Sequence, residues 1–157
     1  METSELLSDY ELEQGKPVPS LNHAYLQKNL LVVLEIRYRN TYDILPELEL
    51  ELTTGRATPD LCIYPNLQYD WEEDVIRMKE PPIATIEILS PRQAIDDLIS
   101  KIRKIYFPAG VKSAWVVVPP FKTIHILYPD QPTATFTQGL LTDPATAIEL
   151  PMAEIFK

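Results

Sequence analysis

The residues of this chain best suited by type and neighbourhood to do chemistry are Asp60 and Glu87. Glu87 lies inside Ile83 to Leu89, a nearly continuous apolar run behind Pro81 and Pro82, which is how a strand covered on both faces reads. A carboxylate buried there costs on the order of several kcal/mol unless it is paired, protonated or bound to a cation. Glu87 therefore requires a partner. Asp60 follows Pro59 and leads into Leu61, Cys62 and Ile63, the buried portion of a second strand. Taken alone, Asp60 reads as a strand-start aspartate accepting from backbone amides. Taken together, two carboxylates about one strand apart and a nearby lysine can hold a hard divalent cation through oxygen ligands. Such a site suits phosphodiester hydrolysis: a bound water is made acidic and oriented, charge on the transition state is offset, and a lysine neutralises or activates the nucleophile. Pairs of acids with a lysine also arise by chance, so the pattern is not specific by itself.

The cation comes from the segment after Glu87. Ile95, Leu98, Ile99, Ile102, Ile105 and Tyr106 recur at helical spacing and predict one apolar face against a sheet. Pro91 suits the first turn, Asp96 and Asp97 stand at the anion-favouring end, and Lys101, Arg103 and Lys104 stand at the cation-favouring end. Pro108 and Gly110 stop the helix. On a helical wheel Lys101 and Arg103 fall at opposite edges of the apolar face, while Asp97 and Lys104 point away from it. Either edge cation can reach towards Glu87. A second apolar run, Trp115 to Val118, closes a strand, crossover helix and strand whose two strands should be parallel.

Around this unit, Ser20 is placed to cap a helix over Leu21 to Tyr38, with Leu26, Leu30, Val33 and Leu34 inward and Gln27, Lys28 and Arg37 outward. His23 falls in its first turn, where it reads first as a surface or cap-proximal histidine and second as a group at the mouth of a site. The alternation Pro46 to Leu52 predicts a half-exposed strand whose glutamates form a solvated face, and Ala57 to Tyr64 predicts the next strand. Asn66 to Glu80 reads as an irregular acidic and aromatic loop. Lys122 to Tyr128 predicts a strand antiparallel to Trp115–Val118, with His125 facing outward. The tail from Thr135 gives a weak strand and an apolar end that packs back on the body. Glu11 to Lys16 reads as a short strand and turn.

At 157 residues with 45% hydrophobic content the chain fits one soluble domain, 1–157. Its lone cysteine, Cys62, sits in an apolar stretch and fits core packing in a reducing compartment. No apolar run has the length of a signal peptide or a membrane span, so the expectation is a cytoplasmic protein. The net charge of −9 works against non-specific attraction to nucleic acid. Lys101, Arg103, Lys104, Lys112 and Lys122 cluster in sequence and can still form a local basic lip.

As a set, several stretches resemble the Uma-two family of putative restriction endonucleases, within the PD-(D/E)xK nuclease-like superfamily. They are Tyr10-Glu11-Leu12 with Gly15, His23, Pro46-Glu47-Leu48, Thr58-Pro59-Asp60, Ile86 to Pro91, the Asp97 to Lys101 spacing, Ala109-Gly110-Val111, and Trp115 before a proline turn. The resemblance implies an α/β (α+β) restriction-endonuclease-like fold, a mixed sheet flanked by helices, with Asp60 and Glu87 as ligands of Mg or Mn on adjacent strands. It implies that the catalytic lysine is displaced from position 89, here leucine, to Lys101, and that Glu11 and His23 are accessory residues. The family pattern sets a tyrosine four residues after the lysine; here Ile105 stands there and Tyr106 follows, which keeps Arg103 and Lys104 as alternative cations. The activity so implied is a metal-dependent endonuclease acting on nucleic acid, DNA first. Apolar ends and exposed strand edges separately suggest a homodimer, in which a second copy would help a small nuclease span both strands of a duplex. The alternative is a nuclease-fold binding or accessory protein without turnover.

Overall fold

The computed structural model describes residues 18–157, so Glu11 and the strand and turn expected at 11–16 lie outside the described residues. In chain order its elements are α1 (Leu21–Tyr38), β1 (Tyr42–Pro46), β2 (Leu50–Leu52), β3 (Gly55–Ala57), β4 (Leu61–Pro65), β5 (Ala84–Ile88), α2 (Ile95–Lys101), a π-helical segment (Ile102–Tyr106) and α3 (Phe107–Ala109). There follow β6 (Ser113–Val118), a 3₁₀ turn (Pro119–Phe121), β7 (Thr123–Leu127), β8 (Ala134–Phe136), β9 (Leu140–Asp143), β10 (Ile148–Pro151) and α4 (Met152–Ile155). Six strands form one mixed sheet in the order β1-β4-β5-β6-β7-β8. β5 and β6 run parallel, joined by the crossover through α2, and the other neighbours are antiparallel. The mixed sheet flanked by helices is therefore as expected.

Strand alternation sends successive side chains to opposite faces, and each face carries its own core. Ile86, Ile88, Trp115 and Val117 pack with Leu26, Leu30 and Leu34 of α1 on one face. Ala114, Val116 and Val118 pack with Leu98, Ile102 and Tyr106 on the other. Glu87 pairs in register with Val116, so it points to the face covered by the crossover helix. β4 pairs with β5 so that Leu61 opposes Ile86. Extending that antiparallel register by one residue sets Asp60 opposite Glu87, on the same face.

Several expected boundaries change. Ser20 accepts from His23 N and starts α1 as expected. The strand expected over Pro46–Leu52 shrinks to β2, because Glu47 takes a positive φ of 53° that strand backbone does not tolerate. Its glutamates are not a uniformly solvated face: Glu49 pairs with Arg56 at 3.3 Å and Arg77 at 3.1 Å. The run Ala57–Tyr64 splits at Thr58-Pro59-Asp60 into β3, which hairpins with β2, and β4, which enters the main sheet. β1 had no clear signal in sequence. The tail is richer than one weak strand: β9 and β10 form a hairpin that packs with α4 on the α1 side of the core. No helix among the described residues is long and apolar enough to cross a membrane.

The crossover helix departs most from expectation. Ile95 and Ile99 are exposed, and the buried side chains are Leu98, Ile102 and Tyr106. Phe107 N donates to Ile102 O, five residues back, which marks a π turn. Thr54 Oγ1 donates to the Ile105 carbonyl and so satisfies a main-chain group within that turn. Gly110 ends the helix at a φ of 112°, a left-handed position suited to glycine.

Candidate active site

Asp60 reaches its place just before β4, where its side chain substitutes for a rung of the ladder. Its Oδ2 accepts from Ile88 N at 2.7 Å and from His23 Nε2 at 3.0 Å. Its carbonyl accepts from Gln27 Nε2 at 2.9 Å and from Glu47 N at 3.3 Å. His23 and Gln27 are one helical turn apart, so a single edge of α1 grips Asp60 by both side chain and backbone. The expectation of a surface histidine is overturned: His23 is 6% exposed, and the proton it gives to Asp60 sits on Nε2. Gln27, expected to point outward, is half-buried against Asp60. The reading of Asp60 as an aspartate capping backbone amides describes part of what it does.

Glu87 is 3% exposed and finds the partner its burial demands. Lys101 Nζ lies 2.8 Å from its Oε2, and Tyr106 OH donates to its Oε1 at 3.1 Å. The π turn makes this double contact possible. At 3.6 residues per turn, residues five apart point about 140° away from each other on a regular α-helix; i to i+5 bonding brings them back towards one side. The one-residue offset between Ile105 and Tyr106 is absorbed there. Burial first, then the charge and hydrogen bond of Glu87, push the Tyr106 hydroxyl well above its ordinary pKa, so it stays a neutral donor. Lys101 Nζ also lies 5.6 Å from the centre of the Tyr106 ring.

The alternative cations go elsewhere. Arg103 Nη1 donates to Tyr128 O at 2.7 Å and stacks over the Phe107 ring at 5.1 Å, and Lys104 is exposed. Lys101 is the one of the three that reaches Glu87. Outside this centre, His125 bonds Thr123 and Thr135 on β7 and β8, each at 2.9 Å. Cys62 is buried and free, its thiol pushed up to about 12 by desolvation.

Asp60, Glu87, His23 and Lys101 line one cavity of about 50 Å³, with Thr58, Ser90 and Gln93 contributing neutral oxygens to its wall. A water occupies roughly 30 Å³ of liquid, so the space suits an ion and a water better than an organic ligand. Among the described residues no group of three or more His, Cys, Asp or Glu side chains assembles as a metal centre. The donor set is nevertheless of the right kind for Mg or Mn, which bind through one or two carboxylates and otherwise keep oxygen ligands and water. The Ser90 hydroxyl, buried and without a hydrogen-bond partner among the described residues, is a further oxygen at this wall. Thr58 and Ser90 stood within the stretches that carry the resemblance but were given no role, and Gln93 escaped the sequence reading, since isolated polar residues outside strands and helices carry no periodic signal. Gln27 was findable from its four-residue spacing to His23.

A sequence profile described as "Uma2: Putative restriction endonuclease" matches residues 2–153. The chain belongs to the Uma2 family. No curated protein sequence matches it. Among solved structures, this Uma2 chain is similar to the crystal structure of "a putative nuclease belonging to DUF820" from Anabaena variabilis ATCC 29413, at 23% identity and a TM-score of 0.77. The match covers 90% of this chain and 83% of that one, and at this identity it shows a shared fold.

Proposed function

We propose that this chain is a metal-dependent endonuclease that hydrolyses phosphodiester bonds in nucleic acid, DNA first. The observation that carries the reading is the presentation of Asp60 and Glu87 from adjacent strands into one small cavity, with Lys101 on Glu87. Asp60 and Glu87 would hold Mg or Mn, which when bound supplies an acidic water and a counter-charge for the phosphoryl oxygens. His23 and Gln27 fix Asp60 from α1, and Tyr106 fixes Glu87 from the crossover helix. Lys101 keeps positive charge beside the reacting phosphate. Glu11 keeps the accessory role that the family resemblance implies. Incubating the purified protein with DNA in Mg or Mn is expected to give cleavage that chelator and Asp60→Asn both abolish; no cleavage of any DNA or RNA form would reject the enzyme.

A second reading, a binding protein on a nuclease scaffold, is favoured by one observation. Glu87 already has Lys101 and Tyr106, and Asp60 has His23 and Ile88 N, so the carboxylates are accommodated without a cation. Thermal melts separate the two: a bound cation raises the melting temperature with its concentration, whereas a self-sufficient polar cluster gives none of that dependence.

A further inference from the structure

The carboxylate cavity does not stand alone. Ser90 and Gln93 line both it and a larger cavity of about 460 Å³, and Asn22 and Pro119 line both that one and a third of about 300 Å³. The shared wall residues set the three cavities side by side, past the start of α1 and the β6–β7 turn. The middle stretch is neutral, with the amides of Asn22 and Gln93 beside Pro91, Pro119 and Pro120. Lys122 and Lys157 border the far stretch together with Tyr25, whose ring lies 4.5 Å from Lys28 Nζ. Among the described residues no acidic side chain lines either of these two stretches, in a chain of net charge −9. By contrast, the groove beside the Asn66–Glu80 loop is lined by Asp70, Glu73 and Asp74.

We propose that the two stretches free of acidic side chains seat one single strand of nucleic acid running from the lysine end to the carboxylate cavity. The inference rests on the nuclease reading and adds the form of the substrate. A cavity of about 50 Å³ cannot hold a nucleotide, so the rest of the substrate lies along the groove that opens from it. Two or three lysines neutralise a few phosphates of one strand, while the dense charge of a duplex meets a repelling −9 protein. Tyr25 and the prolines offer flat faces to unpaired bases, and the Asn22 and Gln93 amides offer both donors and acceptors to base edges.

The test is fluorescence anisotropy of the intact chain, in chelator, with a labelled oligodeoxythymidylate of about a dozen nucleotides and with a duplex of equal length. The single strand should bind at least about fivefold more tightly, with a salt slope of about −1.4 to −2.1 for two or three phosphates. Lys122→Asn, chosen because Lys122 has a φ of 50° that Asn tolerates, should lower that slope by about 0.7. Tyr25→Leu should weaken the single strand several-fold. Both variants should leave Mn-dependent hydrolysis of bis(p-nitrophenyl) phosphate unchanged, because that ester does not extend into the groove. A duplex bound as well as the single strand, or single-strand affinity untouched by both variants, overturns the inference. Failure to cleave any DNA or RNA form in Mn, with single-strand binding intact and sensitive to both variants, overturns the nuclease reading and leaves the groove.

Discussion

Lys101 Nζ sits 2.8 Å from Glu87 Oε2, across fourteen residues of sequence and from the crossover helix onto the central strand. The carboxylate is almost fully buried, and the lysine side chain keeps 26% of its surface exposed. The pair thus has one end in the core and one at the cavity mouth. Lys101→Met should lower cleavage by about 10²- to 10³-fold, the usual loss when a charge-stabilising group is removed. It should also cost about 1–3 kcal/mol of stability, less than a fully buried pair because the lysine is partly solvated. Denaturant unfolding and single-turnover cleavage measure the two separately; unchanged turnover would remove Lys101 from the chemistry.

Tyr106 gives a pH signature. Its folded pKa lies above the unfolded value, so the stability it contributes is fully present below pH 10 and is lost as pH rises beyond that. Tyr64 and Tyr128 are pushed up in the same direction, and burial also holds the Cys62 thiol protonated, so the wild-type denaturation midpoint should begin to fall above about pH 8.5, where a free thiol ionises, and fall steeply above 10. Tyr106→Phe should lose about 1.5–3 kcal/mol at neutral pH, the worth of a hydrogen bond to a charged group. Its alkaline fall should be shallower than the wild type's.

The π turn predicts an unusual tolerance. Deleting Lys104, an exposed residue inside the turn, should let the segment close as a regular helix while keeping the registers of α2 and α3. The tyrosine would then follow Lys101 by four residues, about 40° apart on a regular helix. A melting temperature within about 4 °C of wild type, roughly 1 kcal/mol for a domain of this size, is expected. Deleting Ser100 instead shifts Lys101 against Leu98 and should abolish the native near-ultraviolet signal. If the Lys104 deletion unfolds the protein just as thoroughly, the turn is not a removable insertion.

Much of this was legible because buried strands and polar partners leave plain marks. Glu87 inside Ile83–Leu89 announced a buried acid, and Ser20 announced the start of α1 to the residue. What failed did so where tertiary contacts override local pattern. His23 looks like any first-turn histidine until β4 brings Asp60 to it. The alternation from Pro46 to Leu52 is broken by a backbone turn at Glu47 that alternation cannot report. Helical periodicity counted Ile95 and Ile99 in the apolar face, but the fold leaves both exposed at its edge and buries Leu98, Ile102 and Tyr106; nor can a 3.6-residue period report the π turn that follows them. The placement of Asp60 and Glu87 on adjacent strands came from the family resemblance, while the hold of α1 on Asp60 needed the fold.

The most direct test of the central claim is calorimetric titration of the protein with Mn²⁺. The wild-type chain should bind one ion, and Asp60→Asn and Glu87→Gln should each abolish the heat while keeping a cooperative melt. No binding by the wild type, or binding that both variants retain, would contradict a cation held by these two carboxylates.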